Sequence, residues 1–475
     1  MPWLNSNNAT NIPEDILRTH IDYDRFYNKW RLIERSLKGE EAIKKMREKY
    51  LPYPVALDAD ARETQEFKDD YEIYLQNAHY VEYTSEAVED LVSSMFRRDI
   101  EIDPELPDVL SYFRYNEFFK DLATVVCAYG RAFVLTDYPP VDSLANTRFD
   151  DKENFAYTAI YDALHVTNWD YNMRSGQMKL QRVVLREIDD TVKPNEDYVM
   201  VQYRELILED GVYKVKIYRE SGKNEEFVPR VNGKTLDYIP ATFVGVTSNS
   251  PKVDKSPVIG IANSNLKHYQ TWAELMATQT YLGHPQLVAT GLPAGFNKKV
   301  QDSGITLNVG ASKVLTIEGE DAKVDLLQIS PDVIHYQTLE KLEHSMLEQG
   351  ARIKSLNIKA GVESAEAMTI RHSSDVSKLG AIVENIEKAG EFVLEQLGAF
   401  MGVSYTPTVT INKSFFAPSV DSQMISTLQN AEVMGVVPAG TVYKYLLANE
   451  VISSEDPEKD IKVIEDGTIT SQTSE

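Results

Sequence analysis

The chain is almost without cysteine. Cys127 is the whole complement in 475 residues. No intramolecular disulfide can form, which excludes a disulfide-stapled secreted fold and fits a reducing cytoplasm. Positive charge is also scarce, with 49 Lys and Arg against 73 Asp and Glu and a formal net charge of −24. A protein that grips nucleic acid through its phosphates is basic, at least locally. Ordinary high-affinity DNA binding is therefore not expected, whereas an acidic surface that must avoid sticking to DNA is compatible with this composition. No run of about 18 apolar residues exists, so no membrane-spanning helix is predicted. The opening "MPWLNSNNATNIPED" lacks the basic-then-apolar pattern of a signal peptide. On a cytoplasmic reading, the sequons at Asn8 and Asn412 are chance matches.

Recognisable catalytic motifs are missing too. There is no GxxxxGK[ST] phosphate loop and no HExxH. Asp58 and Asp60 share a spacing with a calcium loop but lack its glycine and later glutamate, so a solvated loop is expected. His335 and His344 lie nine residues apart on one predicted helix, which does not place both on one metal. Cys127, in the apolar stretch "LATVVCAYG", reads as a buried inert thiol. Gly291 and Gly295 in "GLPAGF" have no crossover unit around them and make no dinucleotide fingerprint. The sequence predicts no enzyme, no metal and no cofactor.

What is present is a hydrophobic fraction of 43%, enough for a large core. The pattern predicts helix over 13–50, helix over 65–97 and helix over 116–130 ending at Gly130, then a buried strand in "RAFVLTDYPP". Residues 155–247 read as β, with Asp210-Gly211 and Asn232-Gly233 as hairpin turns. Tyr213, Val215 and Ile217 alternate with Lys214, Lys216 and Tyr218, as in a sheet with one wet face. Residues 257–283 are predicted helical, with Ile261, Leu266, Tyr269, Trp272, Leu275 and Met276 inward. Short strands and glycine turns follow over 284–328. A helix then runs over 330–356, with Ser330 as N-cap and Pro331 in its first turn.

Residues 364–402 carry apolar side chains at helical spacing with no proline, and Ser364 suits the N-cap. A pattern well beyond about 25 residues is unusual for a globular helix. Gly380, Gly390 and Gly398 interrupt it, so the segment is one very long helix or two broken at Gly380 or Gly390. A short strand after Pro407, helices over 419–434 and 438–449, and a solvated acidic end over 450–475 complete the pattern.

Several blocks resemble one family in order and spacing. They are "YEIYLQNAHYVEYTSEAVEDLVSSMFRRDIEID", "FFKDLATVVCAYGRAFVLTDYPP", "HVTNWDYN", "VVLRE", "LDYIPATFVG", "ANSNLKHYQTWAEL" with Asn265, His268 and Tyr269, and "ESAEAM". Together they are similar to the portal proteins of tailed bacteriophages. Two blocks depart from that pattern: "INKSFF" over 411–416 has a serine where the family often has an acid, and "NWDYN" has Asp170 where a base is common.

The resemblance implies an α+β portal fold in a ring, usually a dodecamer, around a DNA channel. It places a wing at 1–256, stem helices at 257–283 and 330–356, a β-rich clip at 284–329 and a tunnel loop at 357–363. A long wing helix and strand follow at 364–418, with a helical crown and acidic tail at 419–475. Arg352, Lys354, Asn357, Lys359 and Glu363 are then the candidate channel residues. Asn297, Lys298 and Lys299 are candidate partner contacts on the clip. The implied partners are further copies of the chain, a large terminase, head–tail adaptor and tail proteins, major capsid and scaffold protein, and double-stranded DNA in transit, with no membrane. The implied location is the virion vertex, after assembly in a host cytoplasm. Competing readings are another virion structural protein such as a head-completion adaptor, an enzyme of unrecognised class with a deep pocket of converging titratable groups, and a monomeric peptide-binding scaffold.

Overall fold

The computed structural model describes residues 12–54, 59–138, 155–174, 177–189, 200–231, 233–283, 286–290, 323–327, 333–354, 365–413, 415, 422–438, 440–448, 452 and 459–464. It is a mixed helix and sheet protein that divides into two compact units, one of 1–92 and 102–409, the other of 93–101 and 410–475.

Expected and observed helices differ at the N-terminal end. In place of one helix over 13–50, a turn at Glu14–Leu17 precedes α1 (Ile21–Leu37) and a short turn at Glu40–Lys44. His20 is extended, its N–H donates to Thr167 O at 2.9 Å and its ring stacks on Trp169 at 4.0 Å. Gly39 has φ 80° and ends the run again. Likewise 65–97 is two helices, α2 (Gln65–Asn77) and α3 (Tyr83–Met95). Ala78 is extended between them, and Tyr80 is pulled into the core with its N–H on Glu40 Oε1 at 3.2 Å. Both breaks come from tertiary contacts that override local helical preference.

From there the expected elements appear. Helix α4 (Tyr115–Tyr129) buries Phe119, Leu122, Val126 and Cys127. It ends at Gly130 in the left-handed region, φ 81°. A Cβ there would also lie 2.8 Å from Ser256 N, so two separate reasons require glycine. Strand β1 (Arg131–Asp137) follows and is buried along its whole length. It is the centre of a three-stranded antiparallel sheet, between β2 (Tyr157–Asp162) and β8 (Ala241–Gly245).

The second sheet is a five-stranded antiparallel meander: β3 (Val166–Arg174), β4 (Gln177–Ile188), β5 (Val201–Glu209), β6 (Val212–Arg219) and β7 (Glu225–Phe227). Asp210 and Gly211 join β5 to β6 with φ 51° and 78°, the two positive values of the expected hairpin turn. One row of partners, Trp169, Val183, Leu206, Val215 and Phe227, crosses all five strands. Its first four members are buried, and Trp169 meets Phe243 of β8 edge-on at 6.0 Å. Tyr213 and Ile217 are buried in β6 while Lys214 and Lys216 are not, as the alternation predicts.

Helix α5 (Ile259–Gly283), strands β9 (Gln286–Thr290) and β10 (Lys323–Leu327), and helix α6 (Val333–Lys354) come next. Of the residues expected inward on α5, Ile261, Tyr269 and Leu275 are buried, whereas Leu266, Trp272 and Met276 are half-buried. The expected caps Ser330 and Ser364, Asn232 of the Asn232-Gly233 turn, and Asp58, Gly291 and Gly295 lie outside the described residues.

The long segment is one helix, α7 (Ala365–Phe400), 36 residues without a break. Leu379, Ile382, Val383, Ile386, Ala389, Val393, Leu397 and Phe400 are buried at helical spacing. That face packs on β1, β8 and α4. Polar clips fix its register. Asn385 Nδ2 donates to Gly245 O at 2.9 Å, Tyr238 Oη donates to Gln396 Oε1 at 2.6 Å, and Val409 N donates to Glu391 Oε1 at 3.1 Å. The glycines therefore do not divide the helix, and they are not equivalent. A Cβ on Gly390 would fall 2.2 Å from the buried Phe119 ring, whereas one on Gly380 meets nothing within 4 Å. No helix among the described residues is long and apolar enough to cross a membrane.

The short strand expected after Pro407 is Thr408–Thr410, and the helices of the second unit are α8 (Ser422–Val433) and α9 (Thr441–Ala448). The acidic end expected over 450–475 falls mostly outside the described residues.

Two substitutions test the reading of α7. Gly380→Ala should stabilise by up to about 1 kcal/mol, the helix-propensity difference. Gly390→Ala should destabilise by about 1–3 kcal/mol through overpacking against Phe119. Denaturant midpoints of the two variants should move in opposite directions; a shared direction would refute the packing argument.

Candidate channel and docking elements

Helix α5 is fastened to the body by polar side chains within its apolar face. Asn265 is fully buried and donates through Nδ2 to Tyr80 Oη at 2.8 Å and Thr84 Oγ1 at 3.2 Å. His268 is fully buried with its ring edge-on to Tyr83 at 5.7 Å. Gln270 Nε2 donates to Tyr50 O at 2.9 Å, and Tyr269 packs edge-on to Tyr80 at 5.9 Å. The start of the helix is tied down as well, because Ser256 Oγ donates to Ala128 O at 2.6 Å and accepts from Val258 N at 3.2 Å. Buried polar groups with partners fix register more sharply than apolar packing does.

Helix α6 returns antiparallel beside α5. As numbers rise along α5 they fall along α6. A Cβ at Gly260 would touch Gln349, His268 Nε2 pairs with Glu343 Oε1 at 3.1 Å, and Glu274 pairs with His335 at 3.4 Å. Gln279 hydrogen-bonds Tyr336 further on. Toward that end α5 loses its cover: Leu275 is buried, Met276 to Thr278 are half-buried and Gln279 is exposed. On α6, Leu339 and Met346 are buried, while Tyr336 and Leu347 are about half exposed, at 48% and 49%. The chain leaves the uncovered end into β9 and β10, an antiparallel pair running from Gln286↔Leu327 to Thr290↔Lys323. The result is a helical pair rooted in the body with a small sheet at its outer end.

The residues expected to touch DNA are not gathered among the described residues. Arg352 and Lys354 fall in the last turn of α6, where a helix favours cations. Asn357, Lys359 and Glu363 lie outside the described residues, as do Asn297, Lys298 and Lys299. His335 and His344 pair separately, His335 with Glu274 and His344 with Glu348 at 3.5 Å, as their spacing predicts. Local sequence reasoning missed the burial of Asn265 and His268. Their signal is visible in retrospect, since both sit on the face that carries Ile261, Tyr269 and Leu275.

Five of the blocks quoted for the resemblance meet in space in two groups. Arg131, of "YGRAF", is buried with its guanidinium 4.3 Å from the Trp169 ring and 4.2 Å from the Phe243 ring. Those rings belong to "HVTNWDYN" and "IPATFVG". Tyr80, Tyr83 and Thr84 of the first block receive Asn265, His268 and Tyr269 of "ANSNLKHYQTWAEL". These blocks make core contacts.

Several titratable groups among the described residues are buried or line a groove. A groove of about 640 Å³ is lined by Tyr112, Glu117, Phe118, Asp121, Phe155 and Tyr157, among others. Burial pushes Tyr112 up to about 12, so it remains a neutral phenol. Cys127 is likewise raised to about 12 by complete burial, which leaves the thiol protonated and inert, as expected. The close pair of His165 Nδ1 and Asp162 Oδ1, 2.6 Å apart, belongs to a turn: the same oxygen accepts Leu164 N at 2.8 Å and His165 N at 3.1 Å. Among the described residues no group of three or more His, Cys, Asp or Glu could hold a metal.

The comparisons with known proteins reach the helical pair. The family described as "Domain of unknown function (DUF4055)" matches residues 257–401. That stretch holds α5, β9, β10, α6 and the whole of α7. No curated protein matches. Among solved structures, the chain is similar to one from "Neck of empty GTA particle computed with C6 symmetry" at 12% identity and a TM-score of 0.36, over 74% of this chain and 84% of that one. A likeness that loose carries no argument about fold or role.

Asp137 gives a signed pH prediction. It is 1% exposed, and burial raises its carboxyl to about 6 despite Tyr138 N at 2.8 Å and Arg204 at 3.8 Å. A carboxyl raised in the folded state is most favourable below its unfolded value near 3.8, and that advantage is lost as pH rises through about 6. Asp137→Asn, which keeps an acceptor and removes the charge, should therefore stabilise by on the order of 1–3 kcal/mol at pH 8 and by little at pH 3. Denaturant melts at both pH values decide it; an equal effect at both would remove the ionisation argument.

Proposed function

We propose that this chain is the subunit of a phage portal, a ring at the capsid vertex through which double-stranded DNA is packaged and ejected. The observation that carries the proposal is the succession of a rooted antiparallel helical pair, a small sheet at its outer end, and an unbroken 36-residue helix crossing the body. That is the order of stem, clip, stem and long wing helix which the sequence resemblance implies. The partly bare α6 also supports a ring, in which identical neighbours flank each helical pair.

In this reading the protein works by geometry and is not an enzyme. A separate large terminase drives the DNA, and the channel must not hold its cargo. Each phosphate neutralised by a fixed cation adds affinity and therefore drag. A net charge of −24 suits passage. Arg352 and Lys354 at the end of α6, with Lys359 beyond it, supply a few weak, sequence-independent contacts. The outer sheet and its connection, with Asn297, Lys298 and Lys299, meet the terminase and then the head–tail adaptor.

Negative-stain electron microscopy beside light scattering should show rings with a central hole and a mass near twelve subunits of 53.8 kDa. A monomer that persists even with scaffold and capsid protein co-expressed would refute the portal reading and favour a monomeric scaffold. Within rings, Arg352→Gln, Lys354→Gln and Lys359→Gln combined should leave assembly intact and reduce packaged or retained DNA several-fold. Normal packaging by that triple variant would remove these residues from the channel.

A further inference from the structure

The second unit contains a helical pair whose described side chains form no buried core. Helix α8 has 12 residues and α9 has 8. Isolated helices below about 12–15 residues are marginal in water. Among the described side chains from 425 to 447 none is buried; the one buried residue is Gly440. Helix α9, "TVYKYLLA", is apolar nearly all round, yet Val442, Tyr443, Tyr445, Leu446 and Leu447 are each only half-buried. A helix that is hydrophobic all round belongs inside something. The turn before it exposes Val433, Met434 and Val436 at 89%, 76% and 74%.

The shape of the pair is nonetheless fixed. Glu432, at the end of α8, accepts from Gly440 N and from Val442 N (3.4 Å) at the start of α9. Tyr443 Oη donates to Asp460 Oδ2 at 2.6 Å. Among the described residues what is missing is cover, and charge indicates what supplies it. Residues 422–448 contain one acid, Glu432, and one base, Lys444, in a chain of which 26% is charged. Glu432 already serves the turn. Two copies that each carry −24 repel except where such a neutral surface meets another. DNA would need bases that this stretch does not have, and a basic partner would need acids. Charge depletion with apolar and tyrosine side chains is the composition of an interface core.

We infer that α8 and α9 pack against the same helices of a neighbouring copy, so that this layer acquires its core only on assembly. The inference rests on the ring reading for the supply of neighbours. Hydrogen exchange on the full chain, in separated monomer and ring fractions, tests it. Amides of 422–448 should exchange at least tenfold more slowly in rings than in monomers. Met434→Lys with Val436→Lys, both at exposed positions of the turn, should remove that protection while leaving exchange in 365–400 unchanged. Leu446→Glu should do the same from the helix itself.

Rings that form with 422–448 as labile as in the monomer would overturn the inference and leave the ring reading standing. So would protection already complete in the monomer, or protection that appears only when rings are built into capsids, which would assign the surface to another virion protein. A chain that never assembles would overturn both.

Discussion

The body of the protein is organised around a guanidinium held between two rings. Arg131 begins the central strand immediately after Gly130 ends α4, and it reaches between Trp169 of the five-stranded sheet and Phe243 of the three-stranded one. Neither of its Nη atoms finds a hydrogen-bond acceptor among the described residues. Burying a charge costs several kcal/mol. The two ring faces offset part of it, at roughly 2 kcal/mol or more for each desolvated cation–π contact. What the arrangement gains is a single way to close the structure: helix end, central strand and both sheets must each be in register for the cation to be enclosed. The same junction receives Ser256, whose hydroxyl ties the entry of α5 to the last carbonyls of α4. The position of the outward-running helical pair thus depends on a contact at the centre of the body.

That dependence explains why the pair is anchored with polar groups. A helix rooted by apolar contacts alone could slide by one turn, about 5.4 Å, at modest cost. Asn265, His268 and Gln270 each have a particular partner on another segment, so a slide of any size breaks several buried or half-buried hydrogen bonds. Helix α7 follows the same logic with Asn385 and Gln396. Gly390 lets its backbone lie close against Phe119, which a side chain would prevent. Long elements amplify small errors at their roots, and here the roots are overdetermined.

The sequence was legible wherever the deciding interaction is local. The stop of α4 at Gly130, the positive-φ turn at Asp210-Gly211, the alternation along β6 and the apolar period of α7 all read directly from neighbouring residues. It was illegible where a distant partner decides. The breaks at His20 and Ala78 exist because Trp169 and Glu40 lie there in the fold, and nothing in 13–50 or 65–97 records that. Whether Gly380 and Gly390 divided α7 could not be settled from the segment itself either, because the answer lies in the ring of Phe119 and the carbonyl of Gly245. The candidate channel residues were chosen by order along a resemblance. Of these, only the places of Arg352 and Lys354 at the end of α6 fall among the described residues. The buried polar anchors were the reverse case, present in a quoted block but unassigned, because a polar residue on an apolar stripe acquires meaning only once its partner is known.

Charge links the body to its proposed work. A strongly acidic protein that must gather copies of itself around an equally anionic polymer meets repulsion on every surface. It can answer in two ways, by confining cations to a few positions and by keeping contact surfaces neutral. The described chain shows the first, and the proposed ring uses the second. Bases in the body are largely paired, as with Arg204 to Glu187 at 2.8 Å, Arg182 to Asp15 at 3.1 Å and Lys214 to Glu209 at 2.8 Å, so they do not present a continuous positive face. In the second unit, where an apolar helix lacks cover, the acids that dominate the rest of the chain are nearly absent. In the proposed ring, like-charged subunits approach at that layer by burying apolar surface, a short-range attraction that needs no counter-charge and that the long-range repulsion elsewhere keeps from becoming indiscriminate.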